Sequence, residues 1–454
     1  MSDFKVGFSA VNVTPPMNIG IGGYYVPRFA KGVLDELDVR ALALSLNGNV
    51  IFLISVPVCG VDRGLVLEYG RLIEKATGVP KENVFVSATH THTGGLLVKT
   101  DMFKADEKLI EEYSAIVKER ITEGAVEAFK DLKPAKMGYA VGKAPDRIAY
   151  IRRYKMKDGS TMTCPPINDP NIDYPIGELD QRINVVRFDR EGAESVVLVN
   201  YGLHADTVNG EMLSGDWPAW MYKTIENALD GTKSIFFNGA EGDVGSTNVH
   251  PTKSDMNDTE ISFDNEMKSP GMSRFVGRAV AGTVLQVFDK VNYEDVDNVK
   301  ILRKMIYAPA NCPEPEDMPT AHKYKELHDE GRDDLIPYTA MELTTVVAEA
   351  LRMCRMEFGP KEFALELVAV QIGPVVLLGI PGEPFTDIGM GIKETSGWGM
   401  IMPCSLANGD EGYFPVKSAY DEGGYEARTS PYKAGVAELI VKEGKDILDS
   451  LKKA

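Results

Sequence analysis

Two short stretches of the chain carry imidazoles where little else would need them. His90 and His92 stand two apart in SATHTHTGG, and His204 stands in NYGLHADTVNG. Neutral imidazole is a common zinc ligand, and hydrolytic zinc sites use about three protein ligands plus water. On an extended segment, residues i and i+2 point to the same side, so His90 and His92 can face one site. Read alone, the same pattern also fits polar loop histidines that only satisfy hydrogen bonds. His250, His322 and His328 lie in polar surroundings and read as surface residues.

Other candidates are weaker by themselves. Glu383 follows the apolar run Val375 to Ile380 and Pro381-Gly382. A carboxylate there needs a partner, because burying an unpaired charge is costly. A metal would supply one; capping a helix that begins near Thr386 would be another use. Arg152, in DRIAYIRRYKMKDG, can polarise a carbonyl or hold a carboxylate. Arg152 and Arg153 equally fit a surface position on an alternating strand. Tyr413 and Tyr425, in GYFPVKSAYDEGGYEARTS, have no local feature beyond packing. NGAEGDVGSTN is dense in small residues that present backbone N–H groups, yet lacks the GKS/T ending of a P-loop.

The elements that must position these residues alternate between strand and helix, which predicts an α/β fold. Residues 41–57 read as a hairpin about Asn47-Gly48, and about 64–75 as a helix. Val84 to Val86 reads as a buried strand. A helix is expected over about 105–131, with Leu109, Tyr113, Ile116, Ile121 and Val126 on one face. Strands are expected at 195–201, 234–237, 364–380 (a pair) and 399–403, and helices at 273–291 and about 433–451. The acidic, mostly helical stretch at about 316–357 reads as a lid or peripheral cap. Polar, Gly-rich clusters follow the apolar runs at 87–95, 202–216, 238–248, 381–387 and 404–413. Ligands gather beyond strand ends in layered α/β folds, so these five clusters define one expected pocket.

Bulk properties narrow the function. With 454 residues, the chain exceeds the roughly 250–300 over which one core usually grows, implying two lobes or one large layered domain. A formal charge of −18 disfavours nucleic acid and anionic membranes as partners. No apolar run reaches the ~18 residues of a bilayer span, and MSDFKVGFSAVNVTPP lacks the features of a signal peptide. The five scattered cysteines form no CxxC pair. A soluble, cytoplasmic protein acting on a small molecule is the expectation.

Taken together, the motifs resemble the neutral ceramidase family, zinc-dependent amidases of N-acylsphingosines. SATHTHTGG is similar to that family's THTHSG motif, NGAEGDVGSTN to GDVSPN, and GIPGEPFT to PGEFTT. NYGLHADTVNGEMLSGDW resembles the segment with one histidine followed by a Ser-Asp pair. NGDEGYFPVKSAYDEGGYEARTS resembles GYxTT…EEY…YEGAST. The order matches, from about Val6 to Tyr432.

The resemblance implies a layered αββα architecture, with two packed mixed β-sheets flanked by helices, as one catalytic domain over residues 1–454. It implies Zn2+ bound by His90, His204, Glu383 and Tyr413, with His92, Arg152 and Tyr425 contacting the scissile amide. The implied reaction is attack of zinc-bound hydroxide on a linear amide; a lactone or ester is the alternative, and a non-catalytic binding protein the second. The chain departs from the family in several ways. It has Ile151-Arg152-Arg153 where the family has Asn-Arg-Ser, and GDVG in place of GDVS. The 316–357 insert has no obvious counterpart, and an immunoglobulin-like C-terminal domain is not expected. With no membrane-binding helix, a soluble metabolite is a more natural substrate than membrane ceramide.

Overall fold

The computed structural model describes residues 3–453. The hairpin of the first sheet begins the fold: β1 (Lys5–Asn12), β2 (Asp38–Leu46) and β3 (Asn49–Val56) run antiparallel, and β4 (Val84–Ala88) joins β3 in parallel. Asn47 and Gly48 form the turn, both at positive φ (52° and 82°), as a two-residue type I′ turn requires. Next come β5 (Lys133–Lys143), β6 (Arg182–Arg190), β7 (Ser195–Tyr201) and β8 (Thr232–Asn238). They extend the sheet to the order β8-β7-β6-β5-β1-β2-β3-β4. A second sheet is built from β9 (Val299–Pro309), β10 (Glu362–Ile372), β11 (Val375–Gly379) and β12 (Met400–Cys404), with β11 and β12 parallel.

Strand periodicity explains how the sheets stack. In β3, Ile51 and Leu53 point into a core shared with Val370 and Leu377 of the second sheet. Phe52 and Ile54 point the other way, toward helices α1 (Arg63–Thr77) and α2 (Glu107–Lys130). A strand covered on both faces is apolar at nearly every position, hence the unbroken run in the sequence. Helices α3 (Asp216–Ala228) and α4 (Pro270–Phe288) cover the other half of the first sheet through Trp217, Ile225, Val276 and Val280.

The connection between β9 and β10 contains α5 (Met318–Asp329) and α6 (Ala340–Met356). Beyond β11 lie α7 (Thr386–Lys393), α8 (Lys417–Glu422) and α9 (Tyr425–Thr429). The final helix, α10 (Val436–Lys453), packs with α7 on the outer face of the second sheet. The layers run helix, sheet, sheet, helix, as expected.

Three local expectations need correction. The buried face of α2 is Ile110, Tyr113, Val117, Ile121, Ala125 and Ala128, whereas Ile116 is 46% exposed. The helix phase is set by the residues that meet β1 and β2, and Ile116 lies a third of a turn off that line. His328 is not a plain surface residue: its Nδ1 sits 2.9 Å from Asp333 and its Nε2 2.7 Å from the Met102 carbonyl. Arg153, offered as a surface arginine, is 1% exposed. Its guanidinium donates to Glu422 at 3.0 Å and to the Gly423 carbonyl at 3.1 Å.

Candidate metal centre

The five loops beyond β4, β7, β8, β11 and β12 converge. Their backbones are tied to one another: Ser405 N–H donates to the Asn238 carbonyl, Gly242 N–H to Pro384, and Asn408 N–H to Val86. The Asn238 amide also donates to the Leu203 and Thr89 carbonyls. One close approach and one strained backbone limit what the loops tolerate. A Cβ on Gly242 would lie 2.5 Å from the Glu383 carbonyl oxygen. His90 itself sits at φ 69°, in the left-handed region that few non-glycine residues adopt, a strain that clusters at functional sites.

His90 and His204 each turn one nitrogen outward to a backbone carbonyl. His90 Nδ1 lies 2.7 Å from the Cys59 carbonyl. His204 Nδ1 lies 2.9 Å from the Glu241 carbonyl and 3.0 Å from that of Val244. Such partners fix the Nδ1–H tautomer and leave Nε2 as a free lone pair. Both Nε2 atoms face one Glu383 oxygen, at 3.2 Å and 3.1 Å. That oxygen is buried and makes no hydrogen bond. His90, His204 and Glu383 therefore offer three ligand atoms within 4.8 Å of one another. Tyr413 brings its hydroxyl to 3.5 Å from His204 Nε2. Its register is fixed by the parallel pairing of Glu383–Pro384 with Tyr413–Phe414.

Burial alone would lower His90, but the Glu383 carboxylate outweighs it and holds the imidazole well above its ordinary range. Burial pushes Glu383 up, and His90 together with His204 more than reverses that, so it stays far below the usual carboxylate range. Burial and the Arg152 guanidinium push His204 down to about 3. The chemistry of the donor set, two imidazoles, a carboxylate and a phenol around an orphaned buried oxygen, fits a divalent cation such as zinc.

The other expected residues surround this group. Arg152 is locked by Glu426 at 2.7 Å and by the Gly242 carbonyl at 2.9 Å. It donates to the Tyr413 hydroxyl at 3.0 Å and lies 3.3 Å from His204 Nε2. Tyr425, which opens α9, meets the Tyr413 ring edge-on at 5.6 Å. His92 Nε2 lies 3.3 Å from His90 Nε2. All seven side chains thus gather in one place.

Several participants have no signature in the sequence. Glu426 anchors Arg152, and the Glu241 carbonyl orients His204. The Glu241 carboxylate is fully buried without a hydrogen bond, and burial pushes it up to about 8. Asp243, in the same loop, accepts from the Thr386 N–H and hydroxyl and caps α7. The GDVG loop therefore positions ligands and a helix rather than presenting N–H groups to an anion.

The group opens into a cavity of about 790 Å3 lined by apolar Leu96 and Leu97 but also by Asp62, Lys99, Arg355 and Asp410. Arg355 comes from the 316–357 insert. That insert is fastened to the site: Arg428 of α9 pairs with Glu342 and Glu349 of α6 at 2.8 Å and 2.6 Å. Tyr25, another cavity residue, packs against the insert's own small core. Among the described residues no helix is long and apolar enough to cross a membrane.

Comparison with known proteins speaks to the fold. Neither a family model nor a curated protein sequence matches the chain. Among solved structures, neutral ceramidase from Pseudomonas aeruginosa aligns with a TM-score of 0.73 at 16% identity, over 100% of this chain and 75% of that one. A ceramidase complexed with C2 aligns with a TM-score of 0.71 at 16% identity, over 100% and 76%. The chain therefore has the fold of the neutral ceramidases.

Proposed function

We propose that the protein is a zinc-dependent hydrolase that cleaves a linear amide in a small, soluble N-acyl compound. One observation carries this reading. Four side chains from separate loops, His90, His204, Glu383 and Tyr413, meet with the Nε2 atoms of both histidines turned onto one buried Glu383 oxygen. The neutral ceramidase fold supports the same class of chemistry.

When bound, zinc supplies a Lewis acid and lowers the pKa of water toward about 7. The chain's own residues do the rest. Arg152 is held rigid by Glu426 and the Gly242 carbonyl, so its remaining N–H groups are pre-aimed at the ligand set. Placed there, it stabilises negative charge on a carbonyl oxygen without reorganising. Tyr425, beside Tyr413 at the cavity wall, donates to the same oxygen. His92 Nε2 faces the centre, where it takes a proton from the attacking water and passes it to the leaving nitrogen, a transfer that an amide needs and a good leaving group does not.

The cavity supports a soluble substrate. The charged side chains at its wall, Asp62, Lys99, Asp101, Arg355, Asp410 and Glu411, would be costly to bury against a long hydrocarbon chain. The test is elemental analysis of protein purified without added metal, combined with a panel of N-acyl amines, lactones and esters. One zinc per chain and preferred amide turnover are expected. Zinc-free protein that stays inactive after zinc addition overturns the reading. A zinc enzyme faster on lactones or esters replaces the amide by those bonds.

A further inference from the structure

We propose that Asp206, held by Lys268 and Tyr24, is the positioning residue for His92, forming a His–Asp dyad whose outer half is built on a buried ammonium. The assignment rests on the hydrolase reading above, in which His92 serves the leaving group.

The observations concern the back of the His92 ring. His92 Nε2 faces the ligand cluster. Its Nδ1 is buried and makes no hydrogen bond. Asp206 Oδ2 faces that nitrogen at 3.5 Å. Catalytic hydrogen bonds are often this long before substrate binds. A carboxylate there selects the Nδ1–H tautomer, leaving Nε2 as the working nitrogen.

Asp206 is itself fixed. Lys268 Nζ lies 2.7 Å from Asp206 Oδ2, 2.9 Å from Asp264 and 2.7 Å from Glu266, and is 0% exposed. The Tyr24 hydroxyl donates to Asp206 Oδ1. The three carboxylates together hold the Lys268 ammonium well above its ordinary range despite burial. The cluster has the make-up of a cation site, and the chain fills it with its own cation.

The remaining sides of His92 are clamped as well. Arg28 stacks over the Tyr24 ring at 3.9 Å and donates to the His92 carbonyl at 2.7 Å. A Cβ on Gly23 would lie 2.6 Å from the imidazole. The ring therefore has little freedom except to settle onto Asp206.

The test compares Asp206→Asn with Asp264→Asn in the full-length, zinc-loaded protein. Both remove one carboxylate from Lys268, but only Asp206 faces His92. The substrates are the best N-acyl amine of the panel and the p-nitrophenyl ester of the same acid, whose leaving group needs no proton. Asp206→Asn is expected to lower kcat for the amide about 100-fold, the lower end for a general acid. Its kcat for the ester should stay within about 10-fold, with KM and zinc content kept. Asp264→Asn should share the loss in Tm and keep amide turnover within a few fold.

A readout independent of turnover is available because the chain has only six histidines. Long-range 15N–1H spectra should show His92 as the Nδ1–H tautomer in the parent and a mixture in Asp206→Asn. Equal losses on both substrates, equal losses in both variants, or an unchanged tautomer overturns the assignment. If the zinc-loaded parent turns over neither substrate, the hydrolase reading falls first and the dyad with it.

Discussion

Two buried clusters, side by side, answer the same electrostatic problem differently. His90, His204 and Glu383 present ligand atoms to a common point, and so do Asp206, Asp264 and Glu266. The second group contains its own cation, since Lys268 bonds all three carboxylates. The first is built differently: the Nε2 atoms of His90 and His204 lie 3.2 Å and 3.1 Å from one Glu383 oxygen, and that carboxylate raises His90 above its ordinary range. Burying charge is tolerated only when it is paired. The acidic cluster thus draws a cation from the chain itself, while the histidine cluster gathers neutral nitrogens about one carboxylate and is the candidate metal site.

That contrast can be broken most severely at His204. His204→Ala removes a neutral nitrogen ligand held by two backbone carbonyls, so zinc should no longer copurify and turnover should fall to background. Retained zinc with full turnover would end the ligand assignment. Lys268→Met attacks the other side of the comparison. Removing one partner of a buried charge set costs about 3–5 kcal/mol, read as a lower midpoint in urea. Added Mg2+ or Ca2+ should recover part of that loss in the variant and do nothing for the parent. No loss at all would mean that the ammonium is not what balances those carboxylates.

Arg152→Ala tests the space between the clusters. It should keep zinc and lose two to three decades in kcat, or about 3 kcal/mol. Loss of zinc instead would make Arg152 a support for Tyr413 rather than an oxyanion donor. The smallest effect belongs to Asp243. Burial raises its carboxyl to about 6, against about 3.9 in an unfolded chain. The folded protein therefore holds a proton that the unfolded chain has released, and stability falls as pH rises from about 4 to about 6. Asp243→Asn keeps an acceptor for Thr386 without a charge, so it should flatten that part of the pH–stability curve. Parallel curves for parent and variant would contradict this.

Much of this was legible in the residues. The unbroken apolar run of β4 announced a buried strand, and Asn47-Gly48 announced the turn between β2 and β3. HxH just after β4, a histidine just after β7 and a glutamate just after β11 pointed to the loops that do converge, although His90 lies at φ 69° rather than on the extended segment expected. Where local pattern misled, a partner far away in the chain was responsible. Arg153 has the alternation of a surface strand, but Glu422 lies 269 residues further on and draws it inward. Ile116 belongs to an apolar series whose phase is set by β1 and β2.

The sequence alone determined the strand and helix pattern and the α/β class, because periodicity is a local property, while the layered architecture and the full ligand set were legible only through the family resemblance. Only the tertiary structure decided which acids acquire partners. Asp206, Asp264 and Glu266 received an internal ammonium, Glu426 received Arg152, and one oxygen of Glu383 came to face two imidazoles. Charge balance inside a protein depends on what is within a few ångströms after folding, and distance in space is not written in distance along the chain.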